Sequence, residues 1–344
     1  MISAIVKEIK FRKNYLSDNY ISSVYFGGGT PSMLDEKDLG LIFDVLSKYF
    51  QWDKKAEITL EANPDDLDRD KVHMFQKLGV NRLSIGVQSF FDEDLVWMNR
   101  AHNSTEAKSA VKLSQDAGLD NISIDLIYGS PTTSDDMWLS NINCAIALGI
   151  PHISSYCLTV EEKTTLHHQV KTGKSAAPNP EKAIVQFGQL MKILDQNSFE
   201  HYEISNFAKP GHYALHNTNY WRGVPYLGIG PSAHSFDGPT RSWNISHNQK
   251  YIDALTHEKL PLETEVLSTS SRYNEYIMTG LRTIWGIDKL IIQKLGNEFS
   301  AYFLKQIKHF IDNEDVINIG NQYILSQKGK YFADRIAMVL FYID

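Results

Sequence analysis

Apolar and polar positions along the first half of this chain alternate between two spacings in a regular order. Runs at 23–26, 57–61, 82–87, 122–127 and 152–157 are short, rich in β-branched and aromatic residues, and predict strands. Between them, 35–50, 68–78, 105–117 and 134–148 carry apolar residues at helical spacing. Strand and helix in strict alternation predict successive β-α units around a parallel sheet. The chain itself opens on a helix, which has no earlier strand to pack upon, so a preceding strand is expected upstream of Met1.

The pattern then loosens. Residues 172–180, with Gly173, Pro178 and Pro180, predict a loop before a helix at 181–196, and 207–239 is punctuated by glycine and proline. Pro261 and a Ser-Thr run mark a second break at 260–272. Beyond it, 273–312 reads as helical, 316–319 and 323–326 flank Gly320-Asn321 as a hairpin, and 328–342 returns to helix. The expected α/β architecture is a partial parallel (β/α) barrel over 1–200, a loop-rich segment over 201–260, and a small winged-helix-like α+β domain over 261–344.

Composition narrows the function classes. With 344 residues and 42% hydrophobic content the chain can fill a substantial core. Its 34 basic and 41 acidic residues give a net charge of −7, without the basic excess of a general nucleic-acid binder. The winged-helix-like segment 273–344 balances eight basic residues with eight acidic ones, so packing or a protein partner is expected there rather than DNA. Cys144 and Cys157 are too few and too far apart to hold a cluster, and buried free thiols in a reducing, cytoplasmic setting are expected. The N-terminus has no signal-like or membrane-spanning apolar run.

In parallel β-α arrays functional groups collect beyond the carboxyl ends of the strands. Here those positions hold Gly27-Gly28-Gly29-Thr30-Pro31, Glu61-Ala62-Asn63-Pro64, Gln88-Ser89-Phe90 and Asp125, with Arg100 after a following helix. A glycine run lets backbone groups approach a ligand closely, although neither the dinucleotide fingerprint nor the P-loop is matched. Taken singly, Glu61 and Asp125 also read as helix caps or salt-bridge partners, and Arg100 as surface charge. Further on, His216-Asn217-Thr218-Asn219-Tyr220-Trp221 sets a histidine beside two aromatic rings.

Together with Tyr25-Phe26-Gly27-Gly28-Gly29-Thr30-Pro31-Ser32, Gly86-Val87-Gln88-Ser89-Phe90, Asn99-Arg100 and Ile124-Asp125-Leu126-Ile127-Tyr128-Gly129, these motifs resemble the radical S-adenosylmethionine superfamily. The resemblance runs over essentially the whole chain. It points to the branch that holds oxygen-independent coproporphyrinogen III oxidase (HemN) and the HemW-type heme chaperones. It implies S-adenosylmethionine contacts from Gly28, Gly29, Thr30, Glu61, Gln88, Arg100 and Asp125. It implies heme contacts from His216, Asn217, Tyr220 and Trp221, with His216 as iron ligand. The family's CxxxCxxC loop, which holds a 4Fe-4S cluster, is absent from the chain, so weakened S-adenosylmethionine binding and no radical chemistry are expected of it as written.

The resemblance implies a heme chaperone that passes heme to an acceptor protein, membrane-associated acceptors included. The alternative is a coproporphyrinogen oxidase, removing two propionate carboxyls oxidatively, which requires a cluster-binding segment upstream. A third is an inactive folded remnant whose open sheet edge self-associates. No nucleic-acid partner is expected, and the oligomeric state is left open.

Overall fold

The protein is described by a computed structural model covering residues 1–52 and 54–343. In chain order it comprises α1 (Ile2–Phe11), β1 (Ser23–Phe26), α2 (Glu36–Tyr49), β2 (Glu57–Ala62), α3 (Arg69–Leu78), β3 (Arg82–Gln88), α4 (Asp92–Trp97), α5 (Ser104–Asp116) and β4 (Ile122–Tyr128). There follow α6 (Asp135–Ala147), β5 (His152–Cys157), α7 (Thr165–Lys171), α8 (Pro180–Gln196), β6 (Glu200–Glu203), β7 (Asn206–Ala208) and α9 (Leu215–Trp221). The five expected strands form within one residue of their predicted ends. Two compact units share the chain, one made of 24–34 and 57–214, the other of 1–23, 35–56 and 215–344.

The first unit is built on a sheet of order β1-β2-β3-β4-β5-β7-β6. Strands β2 to β5 pair in parallel, whereas β7 runs antiparallel to both β5 and β6. This final hairpin was not expected, because four- and three-residue strands are too short to show a period.

Residues in register share a face, and the two faces differ in chemistry. Ile58, Leu60, Leu83, Ile85, Ile122, Ile124 and Leu126 make an apolar side, all nearly or fully buried. On that side Tyr128 meets Trp138 of α6 and stacks on Phe187 of α8, with ring centroids 5.6 and 5.9 Å away. Opposite, the register aligns Glu61 with Ser84, Ser84 with Ser123, Ser123 with His152, and Asp125 with Ser154. One side of the sheet is thus the core and the other a polar wall.

Helix ends in this unit are set by local chemistry. Asp68 caps α3, Asn103 and Glu106 close a capping box on α5, and Ser134 caps α6.

The second unit gathers α1, α2 and α9 with β8 (His234–Phe236), β9 (Thr240–Asn244), α10 (Asn248–Thr256) and β10 (Leu262–Val266). Strands β8 and β9, inside the segment expected to be loop-rich, form a small antiparallel sheet with β10, which lies just beyond it. Their brevity and polarity hid them. Helix α1 contributes Ala4 to a cluster with Tyr251 and Leu255 of α10.

The remainder is α11 (Thr269–Leu281), β11 (Ile287–Asp288), α12 (Lys289–Leu295), α13 (Asn297–Asp312), β12 (Val316–Ile319), β13 (Gln322–Leu325), α14 (Gln327–Lys330) and α15 (Ala333–Leu340). The single helical stretch expected over 273–312 is therefore three helices and a short strand. Gly286 causes the first break, with φ +64 and the backbone of Tyr323 where a Cβ would stand. The sheet order β11-β13-β12 completes the winged-helix-like arrangement.

Candidate functional site

At the end of β1 the chain turns through Gly27, Gly28 and Gly29 beside the carboxylate of Glu61, on β2. The Tyr25 phenol donates to Glu61 Oε1 at 2.7 Å, and the Gly28 N–H donates to Oε2 at 3.3 Å. A Cβ on Gly27 would lie 2.6 Å from the Tyr25 ring and 2.8 Å from the Glu61 carboxyl, so only glycine fits there. Gly28 has φ +79, and Gly29 has no neighbour within 4 Å of a notional Cβ. Thr30, half-buried, precedes the 3-10 turn Pro31–Met33 and accepts the Met33 N–H at its carbonyl.

On β3 a bulge between Ile85 and Gln88 ends with Gln88 at φ 67, a left-handed conformation that turns the chain out of the strand. Asn99 repeats that conformation at φ 54 and presents Arg100. The Arg100 guanidinium donates to Asn63 Oδ1 at 2.8 Å and to the Gly86 carbonyl at 3.3 Å, while its Nε is buried without a hydrogen-bond partner. Asp125, on β4, is half-buried. Burial first, and the Glu61 charge second, push its carboxyl up to about 7, against the opposing pull of Ser154, Arg82 and Arg100. The turn and its neighbours therefore bring together two carboxyl groups, a guanidinium and open backbone beside Gly29.

The sequence motif around Tyr25 assigns that residue no role. Its phenol is held protonated by burial and by Glu61, well above the ordinary range. Only the fold, which brings Tyr25 to a carboxylate 36 positions away, reveals that work.

The motif His216–Trp221 forms most of helix α9. His216 and Tyr220 fall one turn apart on one side, imidazole edge-on to phenol with centroids 4.8 Å apart. Burial lowers His216 to about 4, so the imidazole is neutral at neutral pH. Asn217 is half-buried within the same helix. Helical geometry turns Trp221 about 100° further round, where the Arg282 guanidinium stands 5.4 Å over its ring. Arg222 stacks on Trp285 at 4.2 Å, a second such contact beside the first. The structure thus pairs His216 with Tyr220 and gives Trp221 a cation as neighbour.

Comparison with known proteins gives the chain a family. Residues 3–145 match the Radical SAM superfamily. A protein of Bacillus subtilis (strain 168) described as heme chaperone HemW is 31% identical over 319 residues, covering 92% of this chain and 84% of its own length. One of Lactococcus lactis with the same description is 32% identical, covering 90% of this chain and 82% of its own. The chain belongs to the radical SAM superfamily, in its HemW branch.

The fold agrees with that placement. The structure of coproporphyrinogen III oxidase (HemN) from Escherichia coli superposes with a TM-score of 0.84 at 21% identity, covering 98% of this chain and 82% of that one. At that identity the likeness speaks for the shared fold.

Membership of a radical SAM family implies S-adenosylmethionine and a 4Fe-4S cluster, and the chain's residues suit the two unequally. The turn at Gly27–Gly29 with Glu61, Arg100 and Asp125 suits a ligand bearing an ammonium, a carboxylate and hydroxyls. No group of three or more His, Cys, Asp or Glu able to hold a metal ion occurs among the described residues. Cys144 is half-buried on α6 and Cys157 exposed at the end of β5, which corrects the expectation that both thiols are buried. They do not fit a cluster.

Farther along the polar wall, the Ser123 hydroxyl lies 2.7 Å from His152 Nδ1, and His152 Nε2 lies 2.7 Å from the Tyr202 phenol. His152 is fully buried, and burial, then the positive Arg82, drives it well below its ordinary pKa. In this HemW-branch chain the wall therefore ends in a neutral, hydrogen-bonded histidine.

Proposed function

We propose that this chain is a heme carrier of the HemW type, which takes heme at helix α9 and passes it to an acceptor protein. One observation carries the reading: relatives described as heme chaperones align over nine-tenths of the chain, and the HNxxYW helix stands in it as His216 to Trp221. The iron meets this helix at the His216–Tyr220 pair. A neutral imidazole beside a phenol supplies donor atoms that suit heme iron, and Asn217 and Trp221 complete the segment.

S-adenosylmethionine occupies the turn at Gly28, Gly29 and Thr30 in this reading. Glu61 and Asp125 take its ammonium and hydroxyl groups, Arg100 its carboxylate, and Gln88 lines the same mouth. Hydrogen bonds and packing are what these residues contribute to holding it. No described helix is long and apolar enough to cross a membrane. Cytoplasmic action, with delivery to acceptors that include membrane-associated proteins, is part of the proposal.

A ferric heme titration of the full chain, followed by Soret absorbance with His216→Ala in parallel, tests the carrier reading. Saturable one-to-one binding that weakens in the variant is expected. Weak, unsaturable binding equal in both proteins would overturn it.

A further inference from the structure

Both ring nitrogens of His216 are engaged within its own unit. The Ser23 hydroxyl lies 2.9 Å from Nδ1 and the Tyr220 phenol oxygen 3.1 Å from Nε2. Tyr220 is the outer member of the pair, 41% exposed where His216 is half-buried. Its ring stands edge-on to Tyr226 at 4.4 Å, and Tyr226 continues to Phe236 at 6.2 Å, which extends the aromatic surface beside the phenol. Because the phenol oxygen sits on Nε2, a metal reaches that nitrogen only by displacing the phenol.

We propose that the atom of this pair that binds a heme iron is the Tyr220 phenol oxygen, with His216 as its positioning residue, so that the site selects ferric over ferrous heme. The proposal rests on the carrier reading and moves the iron from His216, where the family resemblance places it, to the neighbouring oxygen. Tyrosinate is an established heme ligand, and an anionic oxygen donor matches trivalent iron better than divalent iron.

The proton balance suits the hydrogen bonds already present. In the tautomer that carries its proton on Nδ1, the phenol donates to Nε2 and Nδ1–H donates to Ser23. As the iron–oxygen bond forms, the phenol O–H breaks and one proton leaves to water. The imidazole shifts tautomer, so that Nε2–H donates to the phenolate and Ser23 donates to Nδ1. The imidazole carries a single proton in both states, on Nδ1 before binding and on Nε2 after it. A serine hydroxyl, both donor and acceptor, supports either tautomer. The iron remains ferric throughout.

The test is ferric heme binding by the full chain, read by absorbance, electron paramagnetic resonance and resonance Raman. Wild type is expected to show high-spin ferric heme with tyrosinate bands, and to bind more weakly once dithionite reduces the iron. Tyr220→Phe keeps the ring but loses those bands and ferric affinity. His216→Ala keeps the bands and loses affinity by roughly 10- to 100-fold, as removal of a ligand's hydrogen-bond partner does. A low-spin wild-type spectrum without tyrosinate bands would overturn the proposal whatever the variants do. So would a Tyr220→Phe protein with unchanged spectrum and affinity. Absence of saturable binding by wild type would instead remove the carrier reading, and this proposal with it.

Discussion

The phenol of Tyr25 holds the carboxylate of Glu61 from one side, 2.7 Å from Oε1, while the Gly28 N–H holds it from the other. A carboxylate fixed at both oxygens loses little further freedom when a ligand arrives, which is the physical content of preorganisation. Removing the phenol hydroxyl frees Glu61 and discards a hydrogen bond to a charged group. Tyr25→Phe is expected to weaken S-adenosylmethionine binding by about tenfold, corresponding to a contribution near 1.5 kcal/mol. Isothermal titration calorimetry measures it. Unchanged affinity would mean that Glu61 does not touch the ligand.

The adjacent glycines answer for different things. A methyl on Gly27 collides with Tyr25 and Glu61, whereas a methyl on Gly29 meets nothing within 4 Å. Gly27→Ala should therefore lower the thermal midpoint as well as ligand affinity. Gly29→Ala should leave the midpoint unchanged and, on the proposed placement of the ligand beside Gly29, reduce affinity alone. Equal binding by wild type and Gly29→Ala would show that the open side of the turn is not the ligand's.

Asp125 gives the site a pH dependence whose sign is fixed by its shift. Its folded pKa, raised to about 7, exceeds the unfolded carboxylate value of 3.8. Between those values the folded state retains a proton that the unfolded state has lost. Stability contributed by the protonated carboxyl is thus present below pH 4 and declines as pH rises towards 7, by up to about 1.4 kcal/mol per unit. Asp125→Asn should flatten that slope in urea unfolding. A cationic ligand would draw the carboxyl into its ionised form, so wild-type affinity should rise from pH 6 to pH 8 and that of Asp125→Asn should not. A pH-independent wild-type affinity would place the cationic group away from Asp125.

The strands and helices that carry these groups were legible because each buries one stripe of apolar residues at a fixed period. The strand at 82–87 shows Leu83, Ile85 and Val87 on one parity, and the same alternation turns Ser84 to the other side. What lies on that polar side was less legible. Ser123, His152 and Tyr202 join by hydrogen bonds across three strands, a relation set by register rather than by spacing along the chain. At His216 the sequence sets two aromatic rings nearby, and the fold brings one of them, Tyr220, against the imidazole. An i, i+4 spacing puts Tyr220 beside it, but only the folded side chains set the phenol on Nε2. The strands at 234–236 and 240–244 were missed because three and five residues offer no period against a background of glycine and proline.

Glu8 makes the most exacting demand on the second unit, since it is fully buried on α1 with four donors around it. Asn244 Nδ2 at 2.7 Å and Arg12 at 3.4 Å donate to Oε1, and the Tyr251 phenol at 2.6 Å and Gly230 N–H at 2.8 Å donate to Oε2. Arg12 in turn donates to the Gly228 carbonyl and to Ser242. One carboxylate thus ties α1 to the loop before β8, to β9 and to α10. Glu8→Ala leaves the guanidinium and three other donors without their acceptor and should cost about 3–5 kcal/mol in urea unfolding. Tyr251→Phe removes a single donor and should cost about 1.5–3 kcal/mol, the worth of a hydrogen bond to charge. Glu8→Gln should fall nearer the alanine variant than the phenylalanine one, because its amide turns a donor towards groups that also donate. A Glu8→Gln protein as stable as wild type would show that charge is not what holds this junction. The same shape filled by neutral hydrogen bonds would then be sufficient.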